Sequence, residues 1–93
     1  MKISSEKLHK RLNELIEKPL GKLRNPGELE MVLRRRLTKK EFKLFVAELE
    51  ELPIEGVMEK LKLDETRRRE LSANTRQKVN QDRIKRELYE VEV

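Results

Sequence analysis

The stretch TKKEFKLFVAELEELP, residues 38–53, decides the fold. Thr38 is followed three residues later by Glu41, the spacing of a capping box in which two side chains satisfy backbone amides at a helix start. Apolar side chains then recur at the three- to four-residue spacing of a helix with one buried face. Pro53 closes the pattern, because proline cannot continue a helix. We therefore expect a central helix over residues 39–52 with one apolar stripe, of which four residues are expected in the core, Phe42, Phe45, Val46 and Leu49, and Leu52 continues the spacing.

Helix signals also precede this stretch. Residues 8–16 place leucine and isoleucine on one helical face. Asn25 and Pro26 have the arrangement of a helix start, with asparagine as the cap and proline at the first helical position. In the connector between these two helices, we expect Leu20 and Leu23 to tuck onto the core.

Further helix signals follow it. Residues 54–61 have the apolar spacing of a two-turn helix, and Asp64 is placed to cap a following one. Asn74 and Gln77 repeat the capping-box spacing, which predicts a last helix over residues 75–88. Three apolar residues of that helix are expected to point inward: Val79, Ile84 and Leu88.

These elements predict an all-α protein, a compact bundle of four to six short helices in a single domain over residues 1–93. Residues 89–93 alternate apolar and polar side chains, which predicts a short C-terminal strand if an edge is available to pair with it. Only 35% of the residues are hydrophobic, so the core is thin. Small domains bury a low fraction of their surface, and we therefore expect a homodimer.

Charge is unevenly distributed along the chain. Residues 1–40 hold 12 basic and 5 acidic side chains, residues 41–59 hold 1 and 6, and residues 60–93 hold 10 and 7. Two basic blocks thus flank an acidic one. This pattern favours a surface that recognises a charged partner over a reactive cleft.

Other residue types limit the classes of function. The chain has no cysteine, no apolar run long enough to span a bilayer and no glycine-rich phosphate loop, so we expect a cytoplasmic protein without membrane association. Its one histidine, His9, lacks histidine or cysteine partners and is expected at the surface or its boundary rather than on a metal. We expect no enzyme, no cofactor and no metal site.

The candidate binding residues lie in three cation-rich clusters, residues 34–40, 67–69 and 76–86. Lysine and arginine contacts to phosphates dominate nucleic-acid affinity, and the planar guanidinium suits phosphate recognition. Double-stranded DNA is therefore the expected partner. The expected contact residues are Arg34, Arg35, Arg36, Lys39, Lys40, Arg67, Arg68, Arg69, Arg76, Gln77, Lys78 and Arg83.

Residues 54–71 resemble the helix-turn-helix motif of DNA-binding regulators, in which a second helix lies in the major groove. The apolar positions of the motif are matched by Val57, Leu61, Leu63 and Leu71. The pattern departs at Met58, where a small residue is usual, at Lys62, where a turn glycine is usual, and at Arg68, where an apolar anchor is usual.

Those departures leave two candidates for the helix that reads bases, residues 65–72 or residues 75–88. Asparagine, glutamine and arginine are the side chains that read adenine and guanine in the major groove. In the second candidate they cluster, and the residues expected near base edges are Asn74, Thr75, Arg76, Gln77, Asn80 and Gln81.

A protein-interaction module is the alternative to a DNA-binding regulator. Its apolar helix faces and C-terminal strand would then contact a protein partner, and the charge blocks would set specificity between partners. One continuous basic face favours nucleic acid, whereas cations interleaved with glutamates all around the surface favour the interaction module.

Overall fold

The computed structural model describes residues 5–90. This part of the chain is an all-α bundle, in agreement with the sequence-based prediction. Its six helices are α1 (Ser5–Leu15), α2 (Pro26–Arg36), α3 (Lys39–Leu49), α4 (Ile54–Leu61), α5 (Glu65–Asn80) and α6 (Asp82–Leu88).

Helix α3 lies at the centre of the bundle and begins as predicted. The Thr38 hydroxyl accepts a hydrogen bond from the Glu41 amide (3.2 Å), and the Glu41 carboxylate accepts one from the Thr38 amide (2.8 Å). Both halves of the capping box are therefore present. Four members of the predicted stripe are buried: Phe42, Phe45, Val46 and Leu49.

The predicted end of α3 is wrong. The helix ends at Leu49 because Glu51 turns into the left-handed region, with φ of 56°. The amides of Glu51 and Leu52 then donate to the carbonyls of Glu48 (3.2 Å) and Ala47 (3.0 Å), the paired bonds of a Schellman motif. This turn directs Leu52 away from the core, and 51% of the Leu52 residue is exposed.

The core consists of two clusters of buried apolar side chains. The larger joins α1, α2, α3, the C-terminal half of α5 and the end of α6. The smaller is built on Leu44, Leu63 and Leu71 and is covered by α4, whose apolar residues stay partly exposed. Helix α3 contributes to both clusters, so it connects the two ends of the molecule.

A tight turn joins helices α4 and α5. Lys62 adopts a left-handed conformation with φ of 56°, the conformation that a turn glycine would supply. The Leu63 amide donates to the Met58 carbonyl (2.8 Å), so α4 also ends in a Schellman motif. Asp64 then caps α5 as predicted, accepting from the Arg67 amide at 2.7 Å.

The predicted helix start at Asn74 is wrong. Residues 65–80 form one continuous helix, because Leu71, Thr75 and Val79 recur every four residues and are all buried. The break comes instead at Gln81, whose backbone is extended (ψ of 130°). The two segments proposed as alternative reading helices therefore belong largely to the same helix, α5.

A clasp joins the connector after α1 to the end of α6. Leu23 and Tyr89 form an isolated antiparallel bridge, and the Arg24 amide donates to the Leu88 carbonyl at 3.0 Å. The Glu90 amide donates to the Lys22 carbonyl at 2.8 Å. Leu23 is buried as predicted, whereas the predicted burial of Leu20 is wrong. Of the predicted strand, Tyr89 forms this single bridge and no strand is present among residues 5–90, while residues 91–93 lie outside the described part of the chain.

Candidate nucleic-acid interface

Two of the predicted cation clusters meet at one end of the bundle. Arg35 and Arg36, at the end of α2, both donate to the Glu87 carboxylate of α6. Lys78 of α5 lies 2.6 Å from Glu41, in the first turn of α3. We call residues 34–43 and 76–86 together the basic end. These two segments hold eleven cations, namely Arg34, Arg35, Arg36, Lys39, Lys40, Lys43, Arg76, Lys78, Arg83, Lys85 and Arg86, and two acids, Glu41 and Asp82; a third acid, Glu87, follows directly and binds Arg35 and Arg36.

Glu87 is the residue that connects α2 to α6. Arg36 binds it in a bidentate manner, with Nε–Oε2 at 2.6 Å and an Nη2–Oε1 bond at 2.9 Å, and Arg35 adds a bond of 2.8 Å. The Arg36 hydrogen bonds hold the pKa of the Glu87 carboxyl below its ordinary value and raise the pKa of Arg36. Arg83 precedes Glu87 by four residues and lies on the same face of α6.

Glu41 is the most buried carboxylate of the described residues, with 2% of the residue exposed. Burial alone would raise its pKa, but the hydrogen bonds from Lys78 and the Thr38 amide outweigh burial and lower the pKa below its ordinary value. The Lys78 ammonium is thus held by the protein itself. It is therefore less available to a phosphate than the exposed Lys39, Lys40, Arg76 and Arg83.

The third predicted cluster lies apart from the basic end. Arg67 is eleven residues before Lys78, which separates them by about 16 Å along the axis of α5. Arg67 donates to Glu70 at 2.8 Å, and Arg68 and Arg69 both bind Glu65. The Arg68 hydrogen bonds lower the pKa of Glu65 to about 2. The start of α5 therefore neutralises much of its own charge.

The solvent-facing side of α5 differs from the rest of the surface. In a chain of which 44% is charged, residues 71–81 contain no acid. The side chains of Arg76 and Gln77 are exposed and make no ion pair or hydrogen bond with any residue between 5 and 90. We call the exposed residues of this side the polar stripe: Thr66, Arg69, Glu70, Ala73, Asn74, Arg76, Gln77 and Gln81, of which Glu70 is the one acid and is paired with Arg67.

Two residues expected near base edges serve the fold instead. Thr75 is buried, and its hydroxyl donates to the Leu71 carbonyl at 3.0 Å. The Asn80 amide nitrogen donates to the Leu15 carbonyl (2.8 Å), and its oxygen accepts from the Glu17 amide (2.9 Å). Asn80 thereby caps the end of α1.

The sequence reasoning missed Lys43 and the role of Glu87. Lys43 is exposed and lies four residues after Lys39, so the helical spacing on α3 was the signal that could have found it. Glu87 is separated from Arg36 by 51 positions, and no local pattern links them.

The remaining polar groups do not form a metal centre within residues 5–90. No group of three or more histidine, cysteine or acidic side chains is close enough there to hold a metal ion. His9 is half-buried, and its Nε2 lies 3.1 Å from the Arg24 carbonyl oxygen.

No protein-family model, curated protein or solved structure matches this chain. Among the described residues, no helix combines the length and the apolar character that crossing a bilayer requires. The function is therefore inferred from the geometry of the chain's own residues.

Proposed function

We propose that this protein binds double-stranded DNA by laying the polar stripe of α5 in the major groove. The observation that carries the proposal is the stripe itself, an acid-poor row of arginine and amide side chains on the exposed side of a 16-residue helix. Such a helix is about 24 Å long. The major groove, about 12 Å wide, admits an α-helix and presents acceptors to arginine and paired donors and acceptors to asparagine and glutamine.

The helix pair supports this placement. Helix α4, the left-handed turn at Lys62 and the capped start of α5 follow one another as in a helix-turn-helix motif. In that motif the first helix crosses the DNA backbone while the second enters the groove. Asn74 and Gln77 lie in the second half of α5 rather than at its start, where the motif usually reads bases, and they are the residues that we expect to set sequence preference.

The basic end supplies the phosphate contacts in this proposal. Lys39, Lys40 and Arg83 are exposed and make no ion pair with another residue between 5 and 90, so they bind phosphate without breaking an existing contact. In the Arg35–Glu87 pair, the Arg35 side chain is 58% exposed, and Glu87 keeps its two bonds to Arg36 when Arg35 leaves. Exposed ion pairs contribute only about 0–1 kcal/mol, so a phosphate can replace the carboxylate at low cost.

The aromatic residues favour duplex over single-stranded nucleic acid. Proteins that read single strands stack bases on exposed aromatic side chains. Phe42, Phe45 and Tyr89 are the three aromatics of the chain, and all three are buried. No aromatic platform is therefore offered to an unpaired base.

The test is fluorescence anisotropy with a labelled DNA duplex over a salt series. Six phosphate contacts would give a log–log salt slope of about −5. Replacing Lys39, Lys40 and Arg83 by alanine should flatten the slope by about 2–3, because each contact contributes about 0.9. The matched control replaces Lys7, Lys10 and Lys22 by alanine. It removes the same charge from α1 and from the connector before α2, and it should leave the slope within about one unit of wild type.

The other predicted residues have their own expected results. Replacing Arg67, Arg68 and Arg69 should flatten the slope less than the basic-end variant, because these guanidinium groups are engaged with Glu65 and Glu70. Gln77→Ala should change the preferred sequence in a binding-site selection while binding to random duplex stays the same. No binding at 50 mM salt and micromolar protein would overturn the proposal.

A further inference from the structure

A groove with an apolar floor and a basic rim runs between the end of α2 and the exposed side of α3. It encloses about 360 Å³. Leu37, Phe42 and Val46 form its floor, and the Arg34 guanidinium lies over the Phe42 ring at 4.7 Å from the centroid. The exposed ammonium groups of Lys39 and Lys43 complete its rim.

The same chain carries a feature of opposite character just beyond the end of α3. Leu52 is 51% exposed, because the left-handed turn at Glu51 directs the chain away from the core. Glu51 and Glu55 flank it, and both are exposed without an ion pair to any residue between 5 and 90. We call Leu52 together with its two flanking glutamates the knob. It lies ten residues after Phe42, which forms part of the groove floor.

Charge complementarity extends beyond these few residues. Residues 34–43, which supply the groove, hold six cations and one acid, and that acid is the buried Glu41. Residues 50–59, which surround the knob, hold four acids and no cation. A lysine-rimmed groove and an acid-rimmed knob attract each other at a distance and exclude like-charged surfaces.

We propose that a second copy of this chain occupies the groove, with Leu52 of each copy seated in the groove of the other. A two-fold symmetric interface is self-complementary, so that residue i of one copy contacts residue j of the other and the reverse. Groove and knob lie along α3 and just past its end, so an antiparallel arrangement of the two α3 helices would place each knob beside the groove of the other copy. In the dimer, Glu51 and Glu55 of each copy face Lys39 and Lys43 of the other. Lys39 is then an interface residue, while Lys40 and Arg83 remain exposed and available to phosphate.

This inference does not depend on nucleic-acid binding. The dimer forms from protein alone, and it would present two α5 helices to a duplex, as two-fold symmetric DNA-binding proteins do. The dimer would also bury the partly exposed apolar side chains near Leu52.

The test is sedimentation equilibrium of the protein without DNA, from 1 to 500 µM at 50 mM salt. The wild-type chain should pass from 11.2 kDa toward twice that mass. Leu52→Ala should weaken the dimer about 10- to 100-fold, since two half-exposed leucines are buried per dimer. Met31→Ala is the matched control, because Met31 is exposed on α2 outside groove and knob, and it should leave the mass unchanged.

Charge reversal makes the test specific. The variant Lys39→Glu/Lys43→Glu and the variant Glu51→Lys/Glu55→Lys should each be monomeric, because like charges then face each other at both contacts. Mixed in equal amounts they should form a heterodimer, because both contacts regain opposite charges. An unfolded variant could not give that rescue, and circular dichroism checks that each variant is folded.

A wild-type mass that stays near 11.2 kDa at 500 µM would overturn the proposal. So would dimers that survive charge reversal, or variants that do not rescue each other. The two proposals fail separately: Glu51→Lys/Glu55→Lys should lose the dimer, whereas each monomer should still bind duplex DNA through its single α5, more weakly than a dimer that presents two.

Discussion

The buried pair between Glu41 and Lys78 should contribute measurably to stability, and a double-mutant cycle can isolate its share. Removing one member of a buried pair costs about 3–5 kcal/mol when the remaining charge is cut off from water. Here 29% of the Lys78 side chain is exposed, so water can reach the ammonium and we expect a coupling of about 1–2 kcal/mol. Glu41→Ala also removes the capping box, worth about 1 kcal/mol, which brings its total cost to about 2–3 kcal/mol.

The cycle uses Glu41→Gln, Lys78→Met and the double variant, each unfolded with urea and followed by circular dichroism. The matched cycle replaces Arg67 and Glu70 by alanine, because that pair has similar geometry (2.8 Å) but both side chains are more than half exposed. Its coupling should be about 0.2–0.5 kcal/mol. Equal couplings in the two cycles would refute the reasoning that burial strengthens the Glu41–Lys78 pair.

Three further predictions concern the hydrophobic core, the turn at Lys62 and the loss of stability at low pH. Phe45→Ala should cost about 3–5 kcal/mol, because the ring is buried in the main core cluster; a melting temperature within two degrees of wild type would contradict this assignment. Lys62→Gly should stabilise the protein by about 1 kcal/mol, because glycine adopts the left-handed conformation without strain, and a loss of stability in urea would argue against that conformation. The folded-state pKa values of Glu41, Glu65 and Glu87 lie below the ordinary 4.5, so their stabilisation is present above pH 4.5 and lost as the pH falls toward 2; a melting temperature constant over that range would contradict the ion pairs.

The sequence predicts α3 well at its start and poorly at its end, for a physical reason. A capping box is a local signal, since Thr38 and Glu41 carry it in their own side chains. The exit depends on Glu51 entering a left-handed conformation that glycine normally marks. With glutamate there, the apolar spacing continued to Leu52 and concealed the turn.

The sequence of α5 contains two conflicting patterns, one that predicts a continuous helix and one, a chance spacing, that predicts a new helix start at Asn74. Asn74 and Gln77 have the separation of a capping box, yet both lie on the solvent side of a helix that is already formed. Leu71, Thr75 and Val79 give the opposite signal, one buried row with a four-residue period. Burial against α3 decided the structure, and a polar threonine in that row made the row hard to recognise.

The sequence predicts which types of residue form the candidate site but not how the fold arranges them. Clusters of arginine are evident in the sequence, and the pairing of Arg68 with Glu65 follows from a three-residue spacing. The pairing of Arg36 with Glu87 depends on α2 and α6 meeting in the fold. Which cations stay available to a phosphate is therefore a property of tertiary structure.

The clasp between residues 22–24 and 88–90 has a consequence for the order of folding. Its hydrogen bonds connect segments more than sixty positions apart, whereas each helix forms from neighbours within a few residues. Closing so long a loop costs entropy that only a largely assembled core can offset. The clasp should therefore close late in folding. Its amide protons are those of Arg24 and Glu90, which donate to the carbonyls of Leu88 and Lys22. These protons should exchange with deuterated solvent through fraying of the chain end, and earlier than the amide protons at the centre of α3.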